Sequence, residues 1–259
     1  MSNVRTVSDT KRAFYGHFER PIASVYRRVI EELMVEMHLL SVSTDFIYDS
    51  LYALGIVTTF DRFMDGYRPE GDREEIFKAL CQSVESSAEQ YRNDAQHLLN
   101  AVEGTTLEAL KETVANLETA SSEGFPGLLK SISERESFKY SRAFGIGLYT
   151  LIEKIAPEFV QDKENLMAFL KDGAETVSIS FDKLQKDIEL YCSNLDKMTQ
   201  AKAIMADMLE VERKKREERA QAKTEKEATQ SSSEEDSSAP VSTPTGDAGE
   251  SDEPPASPE

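Results

Sequence analysis

The sequence predicts an all-α protein: a multi-helix bundle with a long, coiled-coil-like C-terminal helix and a disordered acidic tail. Three observations point there. Apolar residues recur at spacings of three and four along most of the chain, and no stretch alternates with period two for long enough to make a strand. Capping residues, glycines and prolines punctuate these runs at helix-length intervals. Near residue 229 the composition breaks: residues 229–259 hold eight acids, no base and five of the nine prolines.

Each element follows from local chemistry. Ser8 is placed to cap a first helix that stops before Arg20-Pro21, and Pro21 suits the first turn of a second helix running to about Ser41. Asp49 caps a third through LYALGIVTTFDRFM, with Gly66 and Pro69 closing it. EEIFKALCQSV makes a fourth, and AEQYRNDAQHLLNAV a fifth that ends at Gly104. Thr105-Thr106-Leu107-Glu108 fits a capping box for a sixth helix, which Gly124 and Pro126 end. FKYSRAFGIGLYTLIEKIA (138–156) is the most apolar helix, stopped by Pro157. Asp162 caps a short one to Asp172, ahead of Gly173.

The last helix carries a seam. Val177, Phe181, Leu184, Ile188, Tyr191, Leu195, Met198, Met205 and Leu209 fall on alternating spacings of four and three, with Lys202 filling one gap. After Val211 the seam gives way to VERKKREERAQAKTEKEA, with seven bases, five acids and no large apolar residue, a solvated helix held by i,i+4 pairs. The first half of the seam reads as a helix lying against its own bundle. The part beyond Met205 reads as an arm for a partner, with Met198, Met205, Leu209, Arg213 and Arg216 as the candidate docking residues. The expected organisation is a bundle over 1–175, a long helix over 176–228 and a disordered tail over 229–259. The tail has Val241 as its only aliphatic residue larger than alanine, too little apolar area to offset the entropy of ordering.

Bulk properties exclude several functions. The net charge of −18 on 259 residues argues against nucleic acid, which needs clustered Lys and Arg, and against general attraction to anionic lipid. Cys81 and Cys192 form no CxxC pair and read as free thiols in a reducing compartment. The longest uncharged runs, such as SLYALGIVTTF (50–60), are about half of the roughly 20 residues a spanning helix needs. The N-terminus shows no signal-peptide stretch and nothing of the length of a plastid transit peptide.

The stretch EELMVEMHLL (31–40) tests for metal chemistry. On a helix, Val29, Ile30, Leu33, Met34, Met37 and Leu40 share one face. Glu31 and His38 lie opposite, and Glu32 and Glu36 flank the apolar face. A carboxylate-bridged di-metal bundle needs two Glu-x-x-His pairs, and the only comparable spacing is Asp94 with His97. Glu31 and His38 are therefore expected on a solvated face, and no cofactor is expected. Gly145-Ile146-Gly147 has no preceding strand and no third glycine, so close helix packing explains it better than a dinucleotide loop. Through residue 28 there are six bases and two acids. Arg12, Arg20, Arg27 and Arg28 make a candidate basic surface for lipid headgroups or an acidic partner, or an ordinary solvated face.

Several long blocks carry a resemblance. SDTKRAF (8–14), RPIASVYRRVIEELMVEMHLLSVSTDFIYD (20–49), LYALGIVTTFDRFMDGY (51–67), IFKALC (76–81), YRNDAQHL (91–98), FKYSRAFGIGLYTLIE (138–153) and ERKKREER (212–219) follow one another in order. Over roughly residues 1–220 the chain closely resembles the thylakoid formation protein family, also described as a photosystem II biogenesis factor. The resemblance implies a non-enzymatic, all-helical protein held peripherally at the thylakoid membrane. Its implied role is in thylakoid biogenesis and in photosystem II accumulation and repair. The implied partners are FtsH-type membrane protease complexes, photosystem II assembly intermediates, or both. Lacking a transit peptide, the chain looks like the cyanobacterial form, exposed on the cytoplasmic side. No catalytic residues carry over. Two other readings stand beside this one: a helical enzyme with a metal-carboxylate site, and a direct lipid binder.

Overall fold

A computed structural model describes residues 5–231, with side chains to residue 218. Ten α-helices and two short 3-10 turns occur among the described residues, and no strand. The helices are α1 (Val7–His17), α2 (Ser24–Ser41), α3 (Ser50–Phe63), α4 (Asp72–Ser83), α5 (Ala88–Ala101), α6 (Leu107–Ala115), α7 (Gly124–Ser133), α8 (Arg142–Ile155), α9 (Lys163–Thr176) and α10 (Phe181–Ser231). Of the acidic tail expected from residue 229, residues 229–231 still belong to α10, and the rest lies outside the described residues.

Helix α3 is the centre of the body. Leu51, Ala53, Leu54, Ile56 and Phe60 are buried on all sides by α2, α5 and α8. The crossing of α3 and α8 depends on glycine. A Cβ at Gly55 would collide with the Ala143 carbonyl, and one at Gly147 with the Leu51 carbonyl. The backbones approach so closely only because both contact points lack a side chain. The Gly-Ile-Gly run is thus a packing device, as expected.

Where the expected boundaries move, a local bond decides. Thr6, not Ser8, caps α1, in a reciprocal box with Asp9. Pro21 lies outside α2, whose N-cap is Ala23. Thr106 rather than Thr105 caps α6, and the third residue of that helix is Ala109, so no reciprocal box forms. Gly124 and Pro126 do not end α6; they open α7, which buries Phe125, Leu129 and Ile132. Proline in a first turn costs no intrahelical hydrogen bond, so the same residue marks a start as readily as a stop. Ser141 caps α8, leaving 138–140 outside it. Asp49 and Asp162 cap α3 and α9 as expected, but α9 runs through Gly173 to Thr176. Val177 caps the C-terminal end of α9 and is not part of α10.

That end has a particular geometry. Ser178 sits at φ 55°, its N–H bonds to the Glu175 carbonyl, and the Ile179 N–H reaches back to Ala174. This is a Schellman motif with serine where glycine is usual.

The chain separates into two units, residues 1–203 and residues 204–259, and α10 contributes to both. In the first unit, Leu184, Ile188 and Tyr191 of α10 are core residues, Phe63 and Tyr149 stack edge-on to Tyr191, and Lys202 reaches Asp65 at 3.5 Å. The first half of the seam is internal packing. In the second unit, the apolar side chains of 204–211 are 48–65% exposed.

Candidate functional site

The acids and histidine of EELMVEMHLL have structural employment. Glu36 is the most committed. Its carboxylate takes two hydrogen bonds from Arg142, the shorter at 3.0 Å, and one from the Ala143 backbone N–H at 2.8 Å. The N-terminus of α8 has orphan N–H groups and a partial positive charge, and a carboxylate from α2 satisfies both. Glu31 pairs with Lys11 of α1 at 2.9 Å, and Glu32 with Arg28 at 2.9 Å.

His38 corrects the expectation of a solvated face. It is only 3% exposed, and its Nδ1 shares a 2.8 Å hydrogen bond with the hydroxyl of Thr10, itself fully buried. The wheel placed His38 opposite the core face correctly; α1 covers that second face. Burial pulls the His38 ring below the ordinary histidine value, and the nearby Arg5 guanidinium adds to the effect.

The remaining chemical candidates do not converge. Asp94 accepts a 2.7 Å hydrogen bond from the Tyr48 hydroxyl, while His97 is exposed. Among the described residues, no three or more His, Cys, Asp or Glu side chains are grouped to hold a metal ion. Cys81 is fully buried and its thiol is pushed up to about 12 by burial; Cys192 is half-buried and also raised. A thiol held protonated in this way is a poor nucleophile.

The basic residues near the N-terminus are largely compensated. Arg12 pairs with Asp9 at 3.4 Å, Arg20 with Asp72 at 2.8 Å and also with Glu75, and Arg28 with Glu32. Arg27 donates to the Ile22 carbonyl at 3.2 Å. Charge counting along the first 28 residues sees Asp9 and Glu19 but not Glu32, Asp72 or Glu75, which the fold brings to the guanidinium groups. Sequence reading also missed the three-way contact of Arg92 with Asp61, Glu74 and the Phe77 ring. No spacing rule joins positions so far apart.

Of the seam candidates, Met198 is 8% exposed and belongs to the core. Met205, Leu209, Arg213 and Arg216 are exposed on α10, together with Ile204, Met208 and Val211. Among the described residues this is the one run where five large apolar side chains within eight positions all face solvent. A contiguous exposed apolar run of this kind is unusual on a solvated helix face. No helix among the described residues is long and apolar enough to cross a membrane.

A family described as thylakoid formation protein matches residues 6–220. The chain belongs to that family. Among its relatives, the protein Thf1 of Trichormus variabilis is 52% identical over 222 residues, covering 85% of this chain and 95% of the relative. Protein Thf1 of Nostoc punctiforme is 51% identical over 235 residues, covering 90% of this chain and all of the relative. A solved structure of Psb29 at 1.55 Å is similar with a TM-score of 0.71 and 42% identity, covering 82% of this chain and 98% of that one. The thylakoid formation family match therefore takes in the whole body and the exposed apolar run of α10, and stops short of the acidic tail.

Proposed function

We propose that this protein is a non-enzymatic interaction and assembly factor at the thylakoid membrane. In this reading it supports photosystem II accumulation and repair by sustaining FtsH-type membrane protease complexes. It associates peripherally, on the cytoplasmic face, through a protein partner. The observation that carries the reading is the solvent-exposed apolar run at 204–211, inside the region matched to the thylakoid formation family. Supporting it, the titratable side chains that suggested chemistry are spent on internal contacts: Glu36 on α8, His38 on α1, and Asp94 on Tyr48 of the loop before α3. Direct lipid capture gains little support, because three of the four candidate arginines are already paired with carboxylates.

The test is affinity purification from detergent-solubilised thylakoid membranes, using the full chain and a chain ending at Ala203. The full chain is expected to retain the protease complex and the shortened one to lose it. Equal recovery by a folded shortened chain would remove the terminal helix from the account. Substrate turnover by either form would replace the account altogether.

A further inference from the structure

We infer that residues 204–216 of α10 dock into an apolar groove on a protein partner, and that the groove ends in carboxylates. This rests on the docking role proposed above for the terminal helix.

The face is defined by its own geometry. At 100° per residue, Ile204, Met205, Met208, Leu209 and Val211 fall within an arc of about 160°. All five are exposed, while Glu210 lies on the opposite side. The two methionines give the face unbranched, polarizable side chains that adapt to a partner's surface. The apolar stretch rises about 12 Å, two turns of helix.

The cations that follow divide by face. Lys214 pairs with Glu210 at 2.9 Å and Arg213 with Glu217 at 3.6 Å, both within the helix and off the apolar arc. Lys215 and Arg216 stand seven residues beyond Met208 and Leu209, two turns further along the same face. Neither makes an ion pair among the described residues. The helix therefore presents an apolar strip followed on the same face by one acid, Glu212, and by two cations, Lys215 and Arg216, that make no ion pair among the described residues, a net positive end. A complementary partner offers an apolar groove closed by acidic side chains.

Two other occupants fit less well. An anionic membrane meets five acids and four bases across 204–218, with no aromatic residue to anchor at the interface. A second copy in parallel sets Lys215 and Arg216 against themselves. An antiparallel copy that matches the apolar strips leaves both cations beyond the end of the contact.

The test uses the full chain with solubilised thylakoid membranes and a carbodiimide, which joins Lys215 Nζ to a carboxylate in contact with it, with loss of water. The expected product links Lys215 to an Asp or Glu of a partner protein, next to an apolar segment of that partner. Lys215→Arg is expected to keep the partner on affinity purification but lose the link. Met208→Asp is expected to lower recovery about tenfold, and Lys215→Glu with Arg216→Glu about threefold. Glu210→Gln, on the opposite side, is expected to leave recovery unchanged. These side chains are exposed, so circular dichroism of each variant should match the parent. The inference is overturned if Met208→Asp and Glu210→Gln behave alike. It is also overturned if Lys215 links to a second copy, or if phosphatidylglycerol vesicles retain the chain through this face. If the chain ending at Ala203 loses the partner while Met208→Asp keeps it, the docking role survives and this face does not. If the shortened chain keeps the partner, both fall.

Discussion

The two parts of α10 share one heptad register and meet opposite fates. Leu184, Ile188 and Tyr191 are sealed into the body, whereas Met205 and Leu209, on the same seam, are 48% and 65% exposed. The residue types do not distinguish them. What distinguishes them is the surface available: the Leu184 methyl comes within 3.0 Å of where a Cβ on Gly145 would stand, and Phe63 and Tyr149 flank Tyr191. A seam specifies that a helix face will be covered; it does not say by whom.

The contrast can be broken most directly at its two leucines. Leu184→Ala is expected to cost about 3 kcal/mol, read from the urea midpoint, because it opens a cavity in a close-packed core. If it costs less than Leu209→Ala, the division of the seam is wrong. Next in size is Glu36→Gln. It removes the charge that Arg142 and the α8 N-terminus share and is expected to cost about 2 kcal/mol, while leaving partner recovery by a folded sample unchanged.

Acidity provides a third handle on the body. His38 is neutral in its buried contact and its folded value is depressed, so the unfolded chain takes up the proton first. Stability from this residue is complete above about pH 6.5, the unfolded value, and falls as pH drops toward the folded value. The parent is therefore expected to lose stability between pH 7 and 5 faster than His38→Asn, in parallel urea titrations. Parallel curves would mean that the histidine does not titrate on unfolding.

The join between α9 and α10 sharpens the comparison from the other direction. Ser178 holds a left-handed conformation that glycine adopts freely, so Ser178→Gly is expected to raise stability by about 1 kcal/mol, seen as a higher thermal midpoint. The smallest effect belongs to Leu209→Ala. A side chain in solvent has no packing to lose, and the expected change is below about 0.5 kcal/mol.

The helices themselves were legible because their determinants are local. Asp49 and Asp162 bond to N–H groups three residues ahead, and the apolar periodicity of α3 and α8 needs no partner to be seen. The glycines of α8 were readable as packing glycines once no strand preceded them. Gly124 and Pro126 were not, since either punctuates a start or an end equally well. At the candidate site, the apolar run and charged continuation of α10 were visible in the pattern. The loss of Met198 to the core was not, nor was the neutralisation of Arg20 by Asp72 and Glu75.

By itself, then, the sequence determined that this chain is helical, roughly where most helices begin, and that one long helix carries an apolar seam running into charge. Those outcomes follow from contacts spanning three to seven residues, which any window of the chain contains. Only the tertiary structure decided that His38 lies inside, 28 positions from Thr10, and that Glu36 clasps a helix 106 positions away. It also decided that the seam is spent before residue 204. Burial and charge pairing depend on which surfaces meet, and that follows from closing the whole body around α3, not from any single segment.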